Sequence, residues 1–120
     1  MVGLNLFRNA ETKEFASGDT IFSTGDDGEL MYVVVEGEVE IWVGPVLAEV
    51  VTPGGIFGEM ALIDHRVRSA DAVAQSQCKL IPVDQRRFEF LIREAPNFAL
   101  EVMSIMATRL RNTNERLIKS

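Results

Sequence analysis

The chain of 120 residues is 47% hydrophobic and 25% charged, which is typical of one globular domain with an ordinary core. Residues 1–83 hold 13 acidic and five basic side chains, whereas residues 84–120 hold five acidic and seven basic ones. The net charge of the chain is −6. The acidic front part disfavours nucleic-acid binding because it would repel phosphates. No apolar run is long enough to span a bilayer, so we expect no membrane partner, and residues 1–7 lack the pattern of a signal peptide.

Short apolar runs alternate with turn signals from residue 11 to residue 83. Gly25-Asp26 and Pro53-Gly54-Gly55 are typical turn sequences, and Glu38–Val43 alternates polar and apolar residues as a half-exposed strand does. The predicted strands are Thr20–Ser23, Leu30–Glu36, Val39–Val43, Val46–Val51, Ala70–Ala74 and Cys78–Val83. Many short strands separated by turns predict a mainly β fold, either a sandwich or a barrel.

Cys78 is the single cysteine and begins the last predicted strand. It cannot form an internal disulfide, which fits a reducing compartment, and we predict a cytoplasmic location. Its side chain is interpreted as a small buried hydrophobe, with a reactive thiol as the alternative.

A β-rich part, 1–83, gives way to a helical part, 84–120, within one predicted domain. Asp84 can cap a first helix, Pro96 interrupts the chain, and Asn97 can cap a second helix. The apolar candidates for a hinge at this junction are Phe88, Phe90, Leu91 and Phe98.

The second predicted helix runs to about Lys119 and carries an apolar stripe. The stripe consists of Met103, Met106, Leu110, Thr113 and Leu117. Spacings of three and four residues form a heptad seam, which indicates either packing on the chain's own barrel or pairing with a second chain. The polar Thr113 favours a dimer helix that carries a function, and we predict a homodimer through residues 103–117.

The segment Phe57–Ala70 holds the groups that can bind an anion. Gly58 allows a close backbone approach, and the helix-prone piece Glu59–Leu62 offers first-turn N–H groups that attract a phosphate. Arg68 could add a forked guanidinium to the same anion, and Glu59 could accept from a neighbouring sugar hydroxyl. From the charges alone, a solvated loop between two strands is the alternative.

This segment also carries a family pattern. The matching residues, without a gap in spacing, are Phe57, Gly58, Glu59, Met60, Ala61, Leu62, Arg68, Ser69 and Ala70. They resemble the phosphate-binding cassette of the cyclic-nucleotide-binding domains, which include bacterial catabolite activators, regulatory subunits of cyclic-AMP-dependent kinase and cyclic-nucleotide-gated channels. The likeness extends over roughly residues 11–117 and implies a double-stranded β-helix, or jelly-roll barrel, with C-terminal helices.

The resemblance implies a role for each cassette residue. Glu59 would accept from the ribose 2′-hydroxyl and Arg68 would pair with the cyclic phosphate, while Gly58 would let the sugar approach. Backbone N–H groups near Ala61 and Leu62 would support the phosphate. In the second helix, the positions that contact adenine in bacterial relatives, partly across a dimer, are Thr113 and Asn114.

Ser69 bears on the choice of nucleotide. Its hydroxyl would face the phosphate or the base, and serine at this position resembles bacterial cyclic-AMP binders, whereas guanine-selective relatives more often carry threonine. The resemblance therefore implies cyclic AMP as the ligand, with cyclic GMP as the second candidate and no further cofactor.

Two departures from the family pattern affect the expected function. Val67 stands where the family has proline, so we expect a less rigid loop and weaker binding. The chain ends just after the second predicted helix, where transcriptional relatives continue into a helix-turn-helix. We therefore expect no direct DNA binding by this chain, and an effector protein or effector domain would receive the signal.

Three functions are compatible with these features. The first is a sensor in which ligand binding moves the C-terminal helices, and the second is an interaction module of the same fold that no longer binds nucleotide. The third, an enzyme, is disfavoured. His65 is the only histidine, its neighbour is Asp64, and no second base, nucleophile or metal-ligand cluster accompanies it.

Overall fold

The computed structural model describes residues 3–119 as eight strands and four helical segments. The strands are β1 Lys13–Phe15, β2 Thr20–Phe22, β3 Leu30–Glu36, β4 Val39–Val43, β5 Val46–Val51, β6 Ile56–Phe57, β7 Asp71–Ala74 and β8 Cys78–Asp84. A 3₁₀ turn spans Leu4–Phe7, and the α-helices are α1 Glu59–Asp64, α2 Gln85–Glu94 and α3 Pro96–Lys119.

The strands form two four-stranded sheets in which every pair is antiparallel. Their orders are β1-β8-β3-β6 and β2-β7-β4-β5, with Val33 opposite Ile81 in the first sheet and Ile41 opposite Ala72 in the second. The predicted jelly-roll with C-terminal helices is confirmed. The strands over Lys13–Phe15 and Ile56–Phe57 are missing from the strand prediction, because three and two residues are too few to display an alternating pattern.

Strand β3 separates the two apolar clusters of the domain. Successive side chains of a strand point to opposite faces, so Tyr32 and Val34 enter the barrel while Met31 and Val33 face the helices. This explains why β3 is a continuous apolar run without alternation. The barrel cluster also contains Cys78, which is fully buried as predicted.

The helices cover the outer face of the first sheet. Phe88 and Leu91 of α2 and Phe98 and Val102 of α3 pack with the outward side chains of β3 and β8. Three of the four hinge candidates therefore belong to one buried cluster. Phe90 does not, because it points away from the barrel and is 52% exposed.

The boundaries of the two long helices follow their capping chemistry. Asp84 accepts from the backbone N–H of Arg87 at 2.8 Å, which confirms it as the cap of α2. The prediction that Asn97 caps α3 is wrong, because the helix already begins at Pro96. Proline suits a first helical position since it lacks the N–H that would have no partner there.

Only the first half of α3 buries apolar side chains against its own barrel. Met106 is half-buried, whereas Met103 and Leu110 of the predicted seam are 56% and 63% exposed, and all residues from 111 to 118 are exposed. Packing on the chain's own barrel therefore does not account for the heptad pattern. Within residues 3–119, no helix is long and apolar enough to cross a membrane.

Candidate functional site

A pocket of about 400 Å³ lies between the cassette, the second sheet and α3, and this volume is typical of small-molecule sites. It is lined by most of residues 57–70, by Ile41 and Ala48 of the second sheet, and by Arg109, Asn112, Thr113 and Arg116 of α3. The structure thus brings together segments that lie more than 40 residues apart in the sequence.

Gly58 begins the cassette in a conformation that suits glycine. Its φ is 81°, in the left-handed region, and a Cβ there would lie 2.8 Å from Nη1 of Arg68 and 3.3 Å from the carbonyl oxygen of Leu30. Gly58 is required because the arginine approaches its backbone closely.

Arg68 is a buried cation, with only 6% of its surface exposed. Its Nη1 donates to the carbonyl oxygen of Gly58 at 3.0 Å and its Nη2 to that of Leu30 at 2.5 Å. The guanidinium carbon lies 4.0 Å from the ring centroid of Phe22. Burial lowers the pKa of Arg68, although an arginine stays protonated at neutral pH.

No carboxylate of the described residues forms an ion pair with Arg68. The ion pairs formed within residues 3–119 join Lys79 to Glu36 and Arg109 to Glu49 and Glu59. The Nε of Arg68 is buried and has no hydrogen-bond partner in this part of the chain. A buried charge is costly unless it is paired, and none of the groups that contact this guanidinium within residues 3–119 is a carboxylate at ion-pair distance.

Glu59 is also buried, but its charge is balanced. Its Oε1 accepts from Nη1 of Arg109 at 2.5 Å, and Arg109 also binds both carboxylate oxygens of Glu49, at 2.7 and 3.2 Å. Burial opposes the charge of Arg109, but the hydrogen bonds to Glu49 and the two carboxylate charges outweigh it and raise the pKa of Arg109. Oε1 is therefore engaged by Arg109, whereas Oε2 accepts no hydrogen bond from the described residues.

Sequence comparison identifies the family. Residues 12–95 match the family model described as "Cyclic nucleotide-binding domain". The chain belongs to the cyclic nucleotide-binding domain family.

The cyclic AMP receptor protein of Thermus thermophilus is 33% identical over 108 residues, which cover 86% of this chain and 50% of that protein. The crystal structure of the Thermus thermophilus catabolite activator protein superposes with a TM-score of 0.80 at 31% identity, over 90% of this chain and 53% of that one. A structure described with a cyclic-GMP-dependent signalling pathway in bacterial phytopathogenesis gives 0.69 at 29% identity and 98% and 92% coverage. The chain thus spans about half the length of the curated relatives it matches.

The remaining cassette residues of the cyclic nucleotide-binding domain divide between pocket and core. Phe57 is 2% exposed and stacks on Tyr32 at 5.3 Å, so it forms the pocket floor. The other side chains of the segment that line the pocket are Met60, Ala61, Asp64, Arg66, Val67, Ser69 and Ala70. Leu62 does not line it, because its side chain is buried in the cluster beneath the helices.

Helix α3 places one of its two predicted residues in the pocket. Thr113 lines it, and the Thr113 hydroxyl donates to the carbonyl oxygen of Arg109 at 3.0 Å. Asn114 lies outside the pocket lining of its own chain, so its contact with a base across a dimer stays a prediction. Asn112 and Arg116 line the pocket instead, and Arg116 donates to the carbonyl oxygen of Ala48 at 2.5 Å.

The loop before Arg68 is more restrained than we expect from the presence of Val67 in place of proline. Val67 is 54% exposed, but the backbone N–H of Arg68 donates to the Asp26 carbonyl and the Arg68 carbonyl accepts from Gly25, both at 2.8 Å. Two backbone hydrogen bonds therefore fix Arg68 to a neighbouring turn. His65, in the same loop, ends α1. Its φ is 58°, in the left-handed region, so His65 has a structural role as the residue that terminates the helix.

Sequence inspection missed two pocket residues that structure makes central. Arg109 lies within the stretch that resembles the family's C-terminal helix, but nothing local indicates that it returns to Glu59, 50 residues away. Phe22 lies within the predicted strand Thr20–Ser23 as an ordinary apolar residue, and its contact with Arg68 depends on how β2 is placed beside the cassette.

Proposed function

We propose that the domain is a sensor that binds cyclic AMP in this pocket and couples binding to movement of α2 and α3. The observation that carries the proposal is the buried guanidinium of Arg68, which has backbone and aromatic neighbours and forms no ion pair with a carboxylate of residues 3–119. A cyclic phosphate carries one negative charge and would supply the missing counter-ion, because guanidinium groups bind phosphate oxygens in a forked geometry.

The proposed pose follows the polarity of the pocket. The phosphate binds Arg68 together with the N–H of Ala61 in the first turn of α1, and the ribose 2′-hydroxyl donates to Glu59. The base then extends toward α3, where Asn112 and Thr113 offer polar atoms and Ile41 offers an apolar surface. A mainly apolar pocket with a few directed polar groups is the usual design of such sites.

Helix α3 is the proposed output because it forms one wall of the pocket. Arg109 ties it to Glu49 and Glu59, and Arg116 ties it to the backbone of Ala48. A ligand that engages Glu59 and contacts Thr113 interacts differently with different helix positions. Such a difference in affinity is what shifts a population between two arrangements.

Cyclic AMP is proposed before cyclic GMP on two grounds. Ser69 lines the pocket and matches the residue of bacterial cyclic-AMP binders, and a relative that is 33% identical is named a cyclic AMP receptor protein. A similar structure is described with a cyclic-GMP-dependent signalling pathway, so the binding of both nucleotides should be measured. We further propose binding without catalysis, so the nucleotide is recovered unchanged.

We also propose that the domain acts in the cytoplasm as a homodimer through residues 103–117, because Met103 and Leu110 present apolar surface that its own barrel does not cover. Light scattering with and without nucleotide tests this. A mass of one chain at every concentration in both conditions would contradict it.

Calorimetric titration with cyclic AMP and cyclic GMP tests the proposed function. We expect heat of binding and a higher melting temperature with cyclic AMP, because a ligand that binds only the folded state stabilises it. Arg93→Ala removes a cation from the exposed face of α2 and is the control, with unchanged binding. The absence of heat and of a thermal shift with either nucleotide would instead support an interaction module that does not bind nucleotide.

A further inference from the structure

Phe22 presents its ring to the guanidinium of Arg68 at the edge of the pocket. The distance from the guanidinium carbon to the ring centroid is 4.0 Å, well within the range of a cation–π contact. We propose that Phe22 is a positioning residue, which holds the plane of Arg68 so that its free N–H groups face a phosphate. This inference rests on the proposed function, because it assigns how the anion receptor of that site is oriented.

The hydrogen bonds of Arg68 leave most of its donors available. A guanidinium has five N–H groups, and one on Nη1 and one on Nη2 are used by the carbonyl oxygens of Gly58 and Leu30. Three donors therefore have no partner within residues 3–119: one N–H on each Nη, and the buried Nε–H. The two carbonyls fix the end of the side chain, and the ring of Phe22 covers one face of the plane, so the group cannot turn freely.

Phe22 is itself held in place by two aromatic neighbours. Its ring centroid lies 5.9 Å from that of Phe57 and 6.5 Å from that of Tyr32, and those two rings stack at 5.3 Å. The three rings form one aromatic wall behind the arginine. A rigid wall positions a long side chain before the ligand arrives, which reduces the entropy lost on binding.

A side chain at position 28 would have no space beside Arg68. A Cβ at Gly28 would lie 2.9 Å from Nε of Arg68 and 2.5 Å from the Cβ of Ala61. The arginine is thus enclosed by Phe22, two carbonyl oxygens and the backbone of Gly28. Ordinary core packing would explain a buried Phe22, but this residue is half-buried and lines the pocket.

The test compares Phe22→Leu with Phe22→Tyr by calorimetry with cyclic AMP. We expect Phe22→Leu to weaken binding about tenfold, a typical effect for a cation–π contact at a partly desolvated site. Phe22→Tyr keeps the ring face and should stay within about twofold of the original chain. In an Arg68→Ala background, Phe22→Leu should cause no further loss, because the group that it positions is gone.

A second readout requires no ligand. In the original chain without ligand, the Nε–H proton resonance of Arg68 should be shifted upfield by the ring, and Phe22→Leu should remove the shift. An unshifted resonance, equal affinity of Phe22→Leu, or equal losses in both backgrounds would overturn the inference. If the original chain binds neither cyclic nucleotide, the proposed function fails instead, and the resonance still decides whether Phe22 holds the arginine.

Discussion

Two of the arginines that line the pocket, Arg68 and Arg109, differ in how their charge is balanced. Arg109 reaches from α3 to two carboxylates, Glu49 and Glu59, whereas Arg68 in the cassette donates to carbonyl oxygens, lies over an aromatic ring and forms no ion pair within residues 3–119. Burial lowers the pKa of Arg68, while the carboxylates raise the pKa of Arg109. The difference separates two tasks: Arg109 joins parts of the domain to one another, and Arg68 is available to a ligand.

The largest expected effect comes from Arg68→Ala. We expect cyclic AMP affinity to fall at least about 100-fold, because the buried phosphate would lose its charged partner. The free energy of unfolding without ligand should change less than in Arg109→Ala, since no carboxylate loses an ion pair. Calorimetry and chemical denaturation measure the two quantities. Unchanged affinity would rule out the phosphate assignment.

Arg109→Ala should show the opposite pattern, with stability affected most. The buried carboxylate of Glu59 would lose its partner, and we expect a loss of about 2–3 kcal/mol in the free energy of unfolding. Arg111→Ala removes a cation from an exposed position on the same helix and should cost less than about 0.5 kcal/mol. Adding Glu59→Gln to Arg109→Ala should recover part of the loss. Equal melting curves for both alanine variants would contradict the assigned role.

The sequence predicts the cassette residues better than it predicts the difference in ion pairing between Arg68 and Arg109. Gly58, Glu59 and Arg68 lie within 11 consecutive residues, so their spacing is visible without structure. The pairing of Arg109 with Glu59 is a tertiary contact, and no local pattern indicates whether an arginine meets a carboxylate. The same limit applies to Phe22, which reaches Arg68 across 46 positions of the chain.

The prediction of secondary structure is likewise correct for some elements and wrong for others. Strands with alternating or continuous apolar runs and the Asp84 cap are predicted correctly, because their determinants are local. The start of α3 at Pro96 and the two-residue strand Ile56–Phe57 are missed. The strand depends on a tertiary contact, since Ile56 is opposite Val33. The helix start is a local feature, because proline suits the first helical position, and the choice of Asn97 as the cap overlooked it.

Tyr32 offers a smaller and more specific test of the arginine comparison. It is the only tyrosine, so phenolate absorbance reports its ionisation alone. Burial raises its pKa, and the nearby charge of Arg68 partly opposes that rise. Arg68→Ala should therefore move the titration of Tyr32 to higher pH, and Arg111→Ala should not. A shift to lower pH in Arg68→Ala would contradict the placement of the guanidinium beside the ring.

The raised pKa of Tyr32 determines the direction in which stability changes with pH. A folded-state pKa above the unfolded value of about 10 means that the neutral phenol is favoured by folding. Its contribution is present in full below the unfolded pKa and is lost as the pH rises through the folded pKa. Tyr32→Phe should therefore flatten the fall in stability at alkaline pH, as measured by denaturation across that range.

The smallest effect is expected at Val67, where the family has proline. Proline would restrict the unfolded loop, but Arg68 is already fixed by backbone hydrogen bonds to Gly25 and Asp26. We therefore expect Val67→Pro to improve cyclic AMP affinity by less than about threefold. Val67→Ala, which removes exposed side-chain surface without restricting the backbone, is the matched control. A gain of tenfold or more would mean that the loop, and not the paired or unpaired state of the arginines, limits binding.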